Sequence, residues 1–140
     1  MTEAGQPSVS AARSKPPFAM GDLPLFIGLG VLAVPTLVTL GKQVWSTEAG
    51  AHGPIVLAVG AWLLVRELTA AKGLVKPGSL LLTLAGVVVS LAVYVFGRAF
   101  DFISLEVAGL YGTAVSALYS RIGMRALLHL WFPVFYLAFL

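Results

Sequence analysis

From residue 23 onward the chain alternates long apolar runs with short polar breaks. Five runs stand out, at about 23–40, 54–68, 78–97, 102–119 and 125–140. None has the alternating in-out pattern of about ten residues that a membrane β-barrel needs. A segment in lipid must satisfy each backbone N–H and C=O internally, so each run predicts a helix. Segment 1, Leu23 to Leu40, would reach about 27 Å, close to the thickness of a bilayer core. Pro24 suits a first helical turn, where its missing N–H costs nothing. Pro35 lies inside the segment and predicts a kink at the freed Val31 carbonyl. Segment 2 is short, which places Trp62 and Arg66 near an interface. Segment 3, Gly78 to Gly97, is free of charge.

Segment 4 carries small residues at Ser104, Ala108, Gly112, Ser116 and Ser120. Steps of four put them on one helical stripe, which predicts a close-packed face in lipid. Segment 5 ends on RALLHLWFPVFYLAFL with no polar cap. From Leu127 onward it reaches only about 20 Å, short of a hydrocarbon core of about 30 Å. The expectation is a membrane domain over 23–140 that is truncated at its C-terminus. A natural end relying on tilt and local thinning is the alternative. Residues 1–22, polar and rich in proline and small residues, read as a disordered cytoplasmic tail rather than a signal peptide.

Composition turns this pattern into a fold class. Of 140 residues, 59% are hydrophobic and 11% charged. A soluble domain this small cannot bury so much apolar surface, so lipid must be its second solvent. The expected fold is an all-α, polytopic transmembrane helical bundle of about five spans. Membrane lipids are then its first partners. The net charge of +3 comes without basic–aromatic interleaving, so no nucleic-acid footprint exists. Arg13, Lys15, Arg66, Lys72, Lys76, Arg121 and Arg125 fall on one side of the expected topology, against Lys42 and Arg98 on the other. That bias predicts a cytoplasmic N-terminus, with loops 41–53 and 98–101 facing outward.

Candidate chemistry is sparse. With no cysteine, thiolate nucleophiles and thiolate metal sites are excluded within these residues. His52 and His129 are far apart, and the sequence predicts neither a metal site nor a cofactor. His52, in Ala51-His52-Gly53-Pro54, is either a proton donor or acceptor at the outer face or an ordinary solvated histidine. Glu106 falls in the first turns of segment 4, where the helix dipole favours a carboxylate. An ionisable group at membrane depth is a functional candidate, with snorkelling or pairing to Arg98 as the competing reading. Arg98 and Asp101 could instead pair across the outer turn, an exposed pair of little worth. His129 with Trp131 reads as an interfacial anchor.

The string AHGPIVLAVGAWLLVRE, Ala51 to Glu67, with Trp45 upstream, resembles the His-Gly stretch of the exosortase/archaeosortase family. Arg125 to Leu140, with Phe132-Pro133, resembles the stretch preceding that family's catalytic half; His-Gly-Pro is most similar to the exosortase V subgroup. The resemblance implies a bacterial inner-membrane cysteine peptidase or transpeptidase linked to exopolysaccharide production. Its implied substrates are exported proteins with C-terminal sorting tags, each a short motif, a hydrophobic helix and a basic end. The implied nucleophile is a cysteine beyond residue 140, so only His52 and Gly53 match a family motif here. The chain itself is expected to be inactive in thiol chemistry. The alternative is a small non-catalytic membrane scaffold or assembly protein; half of a transporter is weaker, since no inverted repeat is visible.

Overall fold

The computed structural model describes residues 23–139. The tail assigned to 1–22 lies outside the described residues. Five helices follow in order: α1 Leu23–Gln43, α2 Gly53–Ala70, α3 Leu80–Ala99, α4 Ile103–His129 and α5 Trp131–Leu137. A 3-10 turn, Ala71–Leu74, continues α2. No strand occurs among the described residues.

Several helices outlast the apolar runs that announced them. Helix α1 passes Leu40 to reach Gln43, with Lys42 in a last turn that favours a cation. It also runs through Pro35 without ending. Helix α2 passes Leu68 because Arg66 and Glu67 end an apolar pattern without breaking a helix. The Arg66 guanidinium lies 5.5 Å from the Trp62 ring centre, so the charge rests on an aromatic face.

Segments 4 and 5 part where the pattern places the break, but over a shorter span. The hydropathy pattern predicts a break between them across 120–124, and the helix is interrupted within that span, continuing through Ile122 and resuming after one residue. The interruption is a single residue, Gly123, at φ 74° and ψ 176°. That backbone region is open essentially to glycine alone. The second interruption falls at Leu130, between α4 and α5. The helical ladder cannot continue unbroken here, because Pro133 offers no N–H to the His129 carbonyl. One bond still spans the junction, from the Val134 N–H to the Leu130 carbonyl at 3.1 Å. The run read as 125–140 is therefore the end of α4 plus the seven-residue α5, and Leu140 lies outside the described residues.

Among the described residues, three stretches are long and apolar enough to cross a membrane: Leu23–Gln43, Glu48–Leu74 and Leu80–Ala99. Ile103–Ile122 adds a fourth rod of about 30 Å, which carries a charge inside. Leu80 and Leu81 on α3 are 73% and 78% exposed. Apolar faces this open are matched to lipid, where exposure costs nothing.

Helix α4 is the centre of the bundle, lying along α3 and also touching α1. Its most buried line is Glu106, Gly109, Thr113 and Ala117. At Gly109 the α3 backbone comes so close that a Cβ would strike Tyr94 N and Cα. At Gly97 the reverse holds, since a Cβ there would strike Glu106 N. Helix α2 packs on α5 instead, through Gly60 against Tyr136 and Leu137. Leu64 and Leu68 of α2 also close on the buried Ile122, Ala126 and Leu130.

Candidate functional site

The contact between Thr36 on α1 and Glu106 on α4 fixes which ends of the helices meet. The α1–α2 and α3–α4 connections share one end of the bundle; the 71–79 connection and Gly123 share the other. Glu106 sits in the first turn of α4, its backbone N–H donating to the Phe102 carbonyl at 3.0 Å. The residue is only 5% exposed.

A carboxylate in apolar surroundings is costly unless paired and hydrogen-bonded. Glu106 Oε1 receives both kinds of support. The Thr36 hydroxyl donates to it at 2.7 Å, and Arg98 Nη1 donates at 2.9 Å. Thr36 has one proton and also lies 3.1 Å from the Leu32 carbonyl. The shorter, charge-assisted bond to Glu106 takes it. The Tyr94 hydroxyl, 3.3 Å from Thr36 Oγ1, donates to the Leu32 carbonyl at 3.3 Å. Helices α1, α3 and α4 are thus tied through Thr36, Tyr94, Arg98 and Glu106.

Arg98 differs from its partner in exposure. Its side chain is 49% exposed, against 6% for that of Glu106. One nitrogen is held by the carboxylate, and about half of the side chain's surface stays open, so it keeps donors to spare. The arrangement fixes a cation at the edge of the bundle and leaves it free to meet a carbonyl or carboxylate from outside. The partner of Arg98 is Glu106 and not Asp101, which turns the α3–α4 corner at φ 58°.

His52 lies at the same end, exposed, as the residue before α2. Its carbonyl accepts from the Val56 N–H at 3.0 Å, while its side chain makes no capping bond. Gly53 is buried because the Trp45 ring lies against it, and a Cβ would collide with Trp45 Nε1. That indole nitrogen is buried without a partner. Trp45 and Gly53 together fold the 44–52 turn onto the start of α2, which aims His52 outward.

The remaining candidates are dispersed. Ser104 and Ala108 are exposed, while Gly112, Ser116 and Ser120 are half-buried. Gly112 faces Ser90, and Ser116 faces Gly86. His129 and Arg125 are exposed at the other end. Among the described residues, no three His, Asp or Glu side chains come together as metal ligands would.

Thr36 and Tyr94 are not singled out by the sequence reading. A threonine directly after Pro35 was one available signal. Tyr94 four residues before Arg98 was another, since that spacing shares a helix face. Neither shows that both converge on Glu106.

Lipid-facing helices around a buried carboxylate, paired through one oxygen with Arg98 and Thr36, define a polytopic helical membrane protein with a polar centre near one end. Residues 44–140 match the model of the transmembrane exosortase family (Exosortase_EpsH), and the chain belongs to that family. The match takes in Trp45, His52, Gly53, Arg98 and Glu106, and leaves Thr36 outside it. No curated protein and no solved structure matches the chain.

Proposed function

We propose that this chain forms the tag-receiving part of an exosortase-type peptidase or transpeptidase in a bacterial inner membrane. Its N-terminus is cytoplasmic, and the end bearing His52, Arg98 and Glu106 faces outward. The substrates are exported proteins that arrive with a C-terminal tag. The observation that carries the reading is the Arg98–Glu106 pair within a family-matched region. A buried anchor holds a half-exposed guanidinium where an extended peptide leaving the membrane would pass. Such a group recognises main-chain carbonyls or a carboxylate through its outward donors. His52 at the same end supplies a second polar contact.

Residues 1–140 contain no cysteine, so the role assigned to them is binding and presentation, not thiol attack. The basic residues support the orientation, because Lys72, Lys76, Arg121 and Arg125 gather at the opposite end.

The test is co-expression with an exported protein bearing such a tag. A photo-cross-linking residue replaces Ala51 in one strain and Lys72 in another. Cross-linking to the tag from position 51 and not from 72 is the expected result. Capture from 72 alone would reverse the orientation, and capture from neither would remove the tag-binding role. Cleavage of the tag by the 140-residue chain, insensitive to thiol reagents, would also refute it.

A further inference from the structure

The end of the bundle opposite Arg98 holds a second feature, which the tag-binding reading does not use. The connection 75–79 runs beside the α4 break. The Lys76 N–H donates to the Ile122 carbonyl at 3.1 Å, and the Gly78 N–H to the Ser120 carbonyl at 3.2 Å. These bonds satisfy carbonyls that the break at Gly123 would otherwise strand. Between the connection and the break lies an open cavity of about 260 Å³, lined by Lys76, Ser79, Tyr119, Gly123 and Arg125 among others. Lys76 and Arg125 are both exposed, and neither pairs with a carboxylate among the described residues. Ser79 precedes α3 without capping it, so the first N–H groups of that helix stay open at the same place.

A second cavity of about 210 Å³ adjoins the first, with Tyr119 and Met124 lining both. Its other walls are Leu82, Val115, Ser116 and Leu127, so it is almost wholly apolar. A cationic hollow opening onto an apolar groove matches one kind of molecule, with a negative head and a hydrocarbon chain. We propose that this end of the protein binds one anionic phospholipid. Its phosphate sits against Lys76 and Arg125, and an acyl chain lies between Leu82 and Leu127. The bound lipid bridges the start of α3 and the α4 break, holding the arm from Met124 to Leu137 at its angle.

Basic residues at a membrane surface attract anionic lipid diffusely, so the test must separate a built site from surface charge. Lys72 provides the control, being exposed near the same end but outside both cavities. Purified protein is examined by native mass spectrometry for retained lipid, and by thermal melting in detergent with phosphatidylglycerol, phosphatidylcholine or inorganic phosphate. The wild type is expected to retain one phosphatidylglycerol and to melt higher with it than with either other additive. Lys76→Gln and Arg125→Gln should each weaken retention about fivefold, and Lys72→Gln should leave it unchanged. An equal loss with Lys72→Gln would show diffuse charge and overturn the proposal. Equal stabilisation by phosphatidylcholine would remove the headgroup requirement, and equal stabilisation by inorganic phosphate would remove the lipid. If a variant fails to fold, the three additives on wild-type protein still decide. None of these results depends on whether the chain receives a sorting tag.

Discussion

The two ends of the bundle handle charge in opposite ways. At one end Glu106 is buried, and its charge is met by Arg98 at 2.9 Å and Thr36 at 2.7 Å. At the other, Lys72, Lys76 and Arg125 are exposed. The difference follows from what surrounds each group. A charge inside lipid-facing helices has no water to fall back on, so it survives only where several helices bring partners to it. A charge at the interface keeps its water, and its position need only suit the surface. Residues of the first kind are held by tertiary structure, and those of the second by topology.

The sharpest way to break this contrast is Arg98→Ala. It leaves the buried Glu106 carboxylate with Thr36 alone, and a loss of about 3 kcal/mol is expected. Thermal or denaturant unfolding in detergent measures it. A loss no larger than that of an exposed lysine substitution would mean that Glu106 is hydrated.

Next in size is the packing behind the pair. Gly109→Leu drives a side chain into the α3 backbone at Tyr94, at a cost of about 2 kcal/mol. Gly112→Leu meets only the Ser90 side chain, which can move, so it should cost less by the same measurement. The reverse order would show that α3 and α4 approach along a different line.

At the basic end, Gly123→Ala forces a side chain into a conformation nearly reserved for glycine and against the Lys76 carbonyl. The expected loss is about 1–2 kcal/mol. Faster proteolysis within 75–79 should accompany it, because that connection is bonded to the broken helix. Unchanged stability and cleavage would show that the break is not needed.

The smallest effect is expected from Glu106→Gln, at about 1 kcal/mol. The amide can still accept from Thr36, and the half-exposed Arg98 can turn to water. A marked gap between Arg98→Ala and Glu106→Gln would establish that the buried partner, and not the pair as such, sets the cost.

The sequence alone determined the solvent of this protein and its class of structure. Apolar runs of helical length, little charge and no strand alternation leave a helical membrane bundle as the solution, because backbone groups in lipid must bond within their own segment. The family was legible too, from the strings around His52 and Gly53, since a short local motif can be matched without long-range contacts. The ends of α1 and α2 were less so, because snorkelling residues stop a hydropathic pattern before they stop a helix. Only tertiary structure decided the rest. The partner of Glu106 was open between water and Arg98, and Thr36, seventy residues away, was not in view. Which line of α4 lies deepest depends on where α3 and α1 press. Spacing alone drew Ser104 and Ala108 into the stripe, yet both are exposed, while Glu106, Gly109, Thr113 and Ala117 are buried. The continuity of α4 up to Gly123 also rests on bonds from the 75–79 connection, which no local pattern records. Helix formation is a local property of the chain, whereas the pairing of a buried charge requires groups from three separate helices to meet.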